Sequence, residues 1–252
     1  MLDILQFIPK GPIVIRFLNR RNVITLEHKE TPTGKEPPTE FFKRSKEIIL
    51  NAFANGPNYS TPMLERIQEI LQLYAGKQVI HYWFGDGQPN GGEPAIDQIK
   101  SIVSKRRQPE KQPITFVSCS NISKDIKWMQ EVEEHARYCV EISDMRSEKR
   151  EVELDQGPVL PYTEGLYQVC LLVAAMNPND LDALDESVPM TKTTLEEFLG
   201  MLQTEEDYWR YFDSVVYSQE NNKGIVMKSI LDLPRVLERG SCGSKSFMCE
   251  VV

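Results

Sequence analysis

The sequence has no apolar run approaching the roughly 20 residues that cross a bilayer. Its first residues, Met-Leu-Asp-Ile-Leu-Gln-Phe-Ile-Pro, lack both the basic start and the small-residue cleavage site of a secretory signal. Cysteine is scarce: Cys119, Cys139, Cys170, Cys242 and Cys249 are five, an odd number, widely spaced, and three lie inside apolar runs. Such spacing speaks against a disulfide framework and for reduced thiols, so a cytoplasmic location is expected. No glycine-rich phosphate loop is present, and the three histidines of the chain stand beside no coherent nucleophile and orienting acid. Positive charge is in deficit, with 29 Lys and Arg against 37 Asp and Glu for a net charge of -8. The chain as a whole therefore repels phosphate backbones and anionic lipid head groups, and no nucleic-acid partner is expected.

Hydrophobic residues make up 40% and charged residues 26% of the 252 positions, which is ordinary globular usage. That length suits one large domain, or a domain of roughly 180 residues with a helical appendix. Pro12 to Leu18 is a short β-branched apolar run between polar residues, a buried-strand signal. Glu30 to Thr39, rich in Pro, Thr and Gly, predicts a loop. Helical spacing then sets in over Phe41, Phe42, Ile48, Ile49, Ala52 and Phe53, and again from Pro62.

Strand Gln78 to Phe84, helix Glu93 to Lys105, strand Ile114 to Ser118, helix Ser123 to Ala136 and strand Tyr138 to Ile142 follow in alternation. Strands this short and apolar, interleaved with helices, predict an α/β fold: a three-layer, doubly wound, mostly parallel sheet. Beyond Tyr162 only helical patterns remain, including Thr193 to Met201 and Glu205 to Tyr217, with Thr193 or Thr194 and Thr204 as expected N-caps. The expected organisation is a main domain over 1–190, a helical extension over 191–238 and a polar, flexible tail over 239–252.

In doubly wound sheets ligands sit outside the carboxyl ends of the strands. One such end reads Phe84-Gly85-Asp86-Gly87-Gln88-Pro89-Asn90, with the carboxylate of Asp86 flanked by residues without side-chain bulk. An aspartate so placed suits a hard divalent cation, or a simple turn. Just before that strand, Gly56-Pro57-Asn58-Tyr59-Ser60-Thr61-Pro62 opens a helix, where the Thr61 hydroxyl is either an N-cap or a neutral metal ligand.

These segments resemble the von Willebrand factor A family in its intracellular form. GPIVIRFLN over Gly11 to Asn19 is similar to the family's second strand, and ITFVSCSN followed by ISKDIKWMQEVEEHA to its fifth strand and helix. Thr61 before Pro62 resembles the threonine of the metal ion-dependent adhesion site, and Asp86 in FGDGQPN its strand-end aspartate. The likeness covers roughly residues 1 to 175 and implies a non-enzymatic protein-binding domain. The family's Asp-x-Ser-x-Ser loop, which follows a first, central strand, has no counterpart here, so the resemblance implies an N-terminally truncated domain whose metal site is incomplete. One carboxylate and one hydroxyl leave Mg2+ or Ca2+ mostly hydrated, and such a cation is expected to be held weakly or not at all. A missing central strand would leave two strand edges open, for another segment or a partner to fill.

Other candidates have plainer readings. His81 within a strand and His135 near a helix end read as structural, and Cys119, at a strand's carboxyl end, as a small residue packed beneath a loop. Glu133-Glu134 and Glu205-Glu206-Asp207 read as solvated helix faces, and Lys105, Arg106, Arg107 and Lys111 as a solvated loop. Asp180, Asp182, Asp185 and Glu186 lack the glycine of an EF-hand. The last residues, Cys249-Glu250-Val251-Val252, resemble a prenylation box with Cys242 as a second lipid site, which gives a second expectation: a peripheral protein on the membrane surface.

Overall fold

Ile114 to Ser118 is buried at every position, as a parallel strand covered on both faces must be. The computed structural model describes residues 11–32, 34–54, 56, 60–120, 122–176, 184 and 189–222. Four short strands open the chain: β1 (Ile13–Arg16), β2 (Val23–Leu26), β3 (Glu30–Thr31) and β4 (Gly34–Lys35). Helices α1 (Pro38–Phe53) and α2 (Met63–Leu73) follow. Then β5 (His81–Gly85), α3 (Gly92–Ser104), β6 (Ile114–Ser118), α4 (Ser123–Glu133) and β7 (Cys139–Ile142) alternate. Four helices close the described chain: α5 (Met145–Gln156), α6 (Glu164–Val173), α7 (Lys192–Leu199) and α8 (Glu205–Asn222).

The strands β5, β6 and β7 form a parallel sheet in that order, with His81 opposite Ile114 and Ile114 opposite Cys139. The expected α/β alternation is therefore present. Successive residues of a strand face opposite ways, and the two faces carry different partners. Ile114 and Phe116 pack with Met63 and Ile67 of α2, Ile99 of α3 and Trp128 and Met129 of α4. Val117, Val140 and Ile142 pack on the other face with Leu171 of α6 and with Ala174 and Ala175. Each such large apolar side chain removed from water contributes roughly 1.5–3 kcal/mol, so these two layers fix the sheet.

Pro12 to Leu18 contains a strand, but none of its positions is buried as expected, and it pairs antiparallel with β2 in a two-stranded sheet of its own, with Ile13 opposite Leu26 and Arg16 opposite Val23. This hairpin was not legible in the sequence: Val23 and Thr25 point to solvent, so the strand offers no apolar run. Glu30 to Thr39 is not wholly a loop either, since β3 and β4 pair within it. Glu36 follows that small hairpin, and its carboxylate accepts from Nε and Nη2 of Arg44 at 2.9 and 2.6 Å and from the Lys29 N–H at 3.2 Å. Held by the Arg44 guanidinium, the Glu36 carboxyl titrates at about 2, well below its usual 4.5.

A further core joins Val152 of α5, Leu160, Tyr162, Leu195 of α7 and Tyr208, Tyr211, Phe212 and Val215 of α8. It draws on residues from both sides of position 190. Gly157 makes this packing possible: its φ is 77°, and a Cβ there would stand 2.7 Å from the main-chain carbon of Ser214. The hydroxyl of Thr191, rather than that of Thr193 or Thr194, caps α7 by accepting the Thr194 N–H at 3.1 Å, and the helix begins at Lys192, one residue before the expected Thr193. Thr204 accepts the Asp207 N–H at 3.0 Å, as expected of a cap. Among the described residues no helix is long and apolar enough to cross a membrane.

Candidate functional site

The carboxyl ends of β5 and β6 are tied by the Cys119 N–H, which donates to the Gly85 carbonyl at 2.7 Å. Beyond Gly85 the chain turns through Asp86 and Gly87, and three side chains hold this turn. Trp128, a buried residue of α4 stacked edge-on against Phe116, donates its indole N–H to the Gly87 carbonyl at 3.2 Å. Gln88 donates to the Lys124 carbonyl at the start of α4 at 2.9 Å. Asn90 reaches the other way, to the segment before α2: its Oδ1 accepts the Thr61 N–H at 3.0 Å and its Nδ2 donates to Ser60 Oγ at 2.9 Å.

The predicted pair is thus mounted on one braced rim. Asp86 is exposed at the end of β5, and Thr61 is half-buried in the segment that Asn90 pins to the same loop. Thr61 acts through its main chain, its carbonyl accepting from the N–H groups of Asn90 and Met63 at 2.9 and 2.8 Å. The start of α2 carries no side-chain cap, so the N-cap reading of the Thr61 hydroxyl falls away.

Cys119 stands exposed at this rim rather than packed beneath a loop, with its Sγ 3.7 Å from the Val117 carbonyl. Partial burial and the nearby Asp86 charge push its thiol up in pKa, which keeps it protonated and a poor nucleophile. Along the rim towards β7 the acids are engaged in structure. Asp144 caps α5 by accepting from the N–H groups of Arg146 and Ser147, and Glu148 accepts the Ser143 N–H at 2.6 Å. Burial raises the Glu141 carboxyl, against hydrogen bonds from Ser118, Gln130 and Ser143. Asp86, by contrast, is exposed and forms no ion pair or hydrogen bond among the described residues.

This donor set does not fit a divalent cation. One carboxylate and one hydroxyl fall short of the charge such ions need, and among the described residues no group of three or more His, Cys, Asp or Glu could hold a metal.

The histidines stay away from the rim. His81 is buried at the start of β5, where burial lowers it to about 4, and its ring stacks edge-on with Tyr74. His135 is exposed near the end of α4 with Nδ1 against the Glu131 carbonyl. Asp180, Asp182, Asp185, Glu186, Cys242 and Cys249 lie outside the described residues. Asn90, Gln88 and Trp128 were missed as rim residues. Asn90 could have been suspected from its place after Pro89 in a strand-end loop, whereas nothing in the spacing of Trp128 points to Gly87.

No protein-family model, curated protein or solved structure matches the chain.

Proposed function

We propose that this chain is a protein-interaction domain of the von Willebrand factor A type, doubly wound, which binds a protein partner through the rim formed by Thr61, Asp86 and Cys119. The observation that carries the reading is the bracing of the Asp86 loop: Trp128 donates to the Gly87 carbonyl, Gln88 ties the loop to the Lys124 carbonyl and Asn90 ties it to the Thr61 N–H, while the Asp86 carboxylate stays exposed. A turn fixed from three sides presents a charge at little conformational cost, and preorganisation of that kind favours recognition. The Phe84 ring beside it is 53% exposed, an aromatic surface of the sort that anchors interfaces. The rim offers no activated nucleophile and no acid–base pair, so the reading is non-enzymatic. Partner binding works without a bridging cation, through the Asp86 carboxylate directly.

Affinity capture with the full chain tests this. Wild type should retain a partner in the presence of EDTA, Asp86→Lys should lose it, and a variant neutralised at Lys43 and Lys46 should keep it. Equal retention by Asp86→Lys would refute the rim, and loss in EDTA would refute the metal-free version.

A further inference from the structure

At the opposite, amino end of the sheet, the structure gathers cations that are far apart in sequence. Arg106 is the organiser. Its Nε donates to the Val103 carbonyl at 2.9 Å, its Nη1 to the Gln112 carbonyl, and its Nη2 to the carbonyls of Arg137 and Tyr138 at 2.6 and 3.3 Å. Gln112 in turn donates to the Tyr74 carbonyl at 2.5 Å, and the Val79 N–H to the Lys111 carbonyl at 2.9 Å. These bonds bring the segments around residues 77, 105–111 and 137 to one end of the molecule.

The expectation of a solvated loop is therefore half right. Arg106 is a partly buried clamp, while Lys77, Lys105, Arg107, Lys111 and Arg137 are exposed. None of these five forms an ion pair with a carboxylate among the described residues. Two instead lie over aromatic rings, Lys77 on Tyr74 and Arg137 on Tyr138. The acids at this end are Glu110, Glu133 and Glu134, so six cations face three carboxylates, a local charge of +3 on a chain whose total is -8. The remainder of the molecule then carries -11, the difference of those two figures.

We infer that this amino-end face is a second interaction surface, and that it takes a short acidic segment of a protein partner. The charge distribution selects that class. A membrane or a duplex extends across the molecule and meets the surrounding negative charge, and a second copy brings the same net negative charge. A short peptide lies within about 8 Å of the patch, the screening length at physiological salt, and meets the cations alone. The tyrosine rings supply flat apolar contact beside the cations, which keeps their guanidinium and ammonium groups oriented.

A fluorescein-labelled ten-residue oligo-glutamate, titrated with the full chain at low ionic strength and followed by anisotropy, tests the inference. Wild type should bind, with an affinity that falls as salt rises. Combined Lys77→Gln, Lys105→Gln, Lys111→Gln and Arg137→Gln should weaken binding about tenfold, these being exposed side chains with modest individual effects. Four neutralisations elsewhere, Lys35→Gln, Lys43→Gln, Lys46→Gln and Arg150→Gln, should leave it within about twofold, since those charges lie off the patch. Equal weakening by the two sets, or no binding by wild type, would overturn the surface. Binding to phosphatidylserine vesicles or to duplex DNA at lower protein concentration than to the peptide would overturn the partner class. The rim at Asp86 plays no part in this readout, so Asp86→Lys should not weaken it.

Discussion

Asn90 and Thr61 hold each other by reciprocal hydrogen bonds: the Asn90 N–H donates to the Thr61 carbonyl at 2.9 Å, and the Thr61 N–H donates to Asn90 Oδ1 at 3.0 Å. Two loops that are 29 residues apart in sequence thereby become one surface. Asn90→Ala removes the two side-chain bonds but leaves the main-chain one. It should cost about 1 kcal/mol in urea unfolding and raise the hydrogen-exchange rate of the Thr61 amide well above that of the sheet. Unchanged exchange at Thr61 would show that something else holds the segment.

Arg106→Lys keeps the charge but loses the fork, and a single ammonium cannot reach the carbonyls of Val103, Gln112, Arg137 and Tyr138 together. A loss of roughly 2–4 kcal/mol in chemical denaturation is expected. A loss below about 0.5 kcal/mol, the range of an ordinary surface substitution, would mean that Arg106 is not the clamp of the amino end.

Gly157→Ala should be more damaging. Its φ of 77° disfavours any other residue, and the added Cβ would meet the Ser214 main chain, which cannot rotate away as a side-chain tip would. The expected cost is roughly 3 kcal/mol or more, with near-ultraviolet circular dichroism reporting loss of packing around Tyr208 and Tyr211. A stable Gly157→Ala protein with native dichroism would contradict the close approach of α8 to the end of α5.

The pairing of Glu36 with Arg44 makes stability depend on acid pH. The folded carboxyl titrates at about 2 against an ordinary 4.5, so the charged form is the one that folding favours. Its contribution is complete above the ordinary value and is lost as pH falls from there through the folded value. The stability difference between wild type and Glu36→Gln should be constant from neutral pH down to the ordinary carboxylate range and shrink below it. A difference that grew on acidification would reverse the assigned cause.

The α/β alternation was legible because Ile114 to Ser118 and the helices flanking it have unambiguous apolar periods. Helix α5 left no such trace: it is rich in charge, and only Val152 among its apolar residues reaches the core. The cap at Thr191 was missed because three threonines stand within four positions, any of which can cap. Asp86 could be found because glycines and a strand end mark it locally. The bonds that brace it, and those by which Arg106 reaches the Arg137 and Tyr138 carbonyls, are contacts across 29 to 41 residues, which local patterns do not encode.

Whether the braced rim is where a partner sits is tested most directly by placing a photo-cross-linker there. Replacing the exposed Phe84 with p-benzoylphenylalanine preserves an aromatic ring two residues from Asp86, and the same probe at Lys43 on α1 serves as the off-site position. On irradiation with the captured partner, position 84 should give an adduct that Asp86→Lys abolishes, and position 43 should give none. Adducts from position 43 alone, or from position 84 regardless of the residue at 86, would contradict a partner seated on the rim.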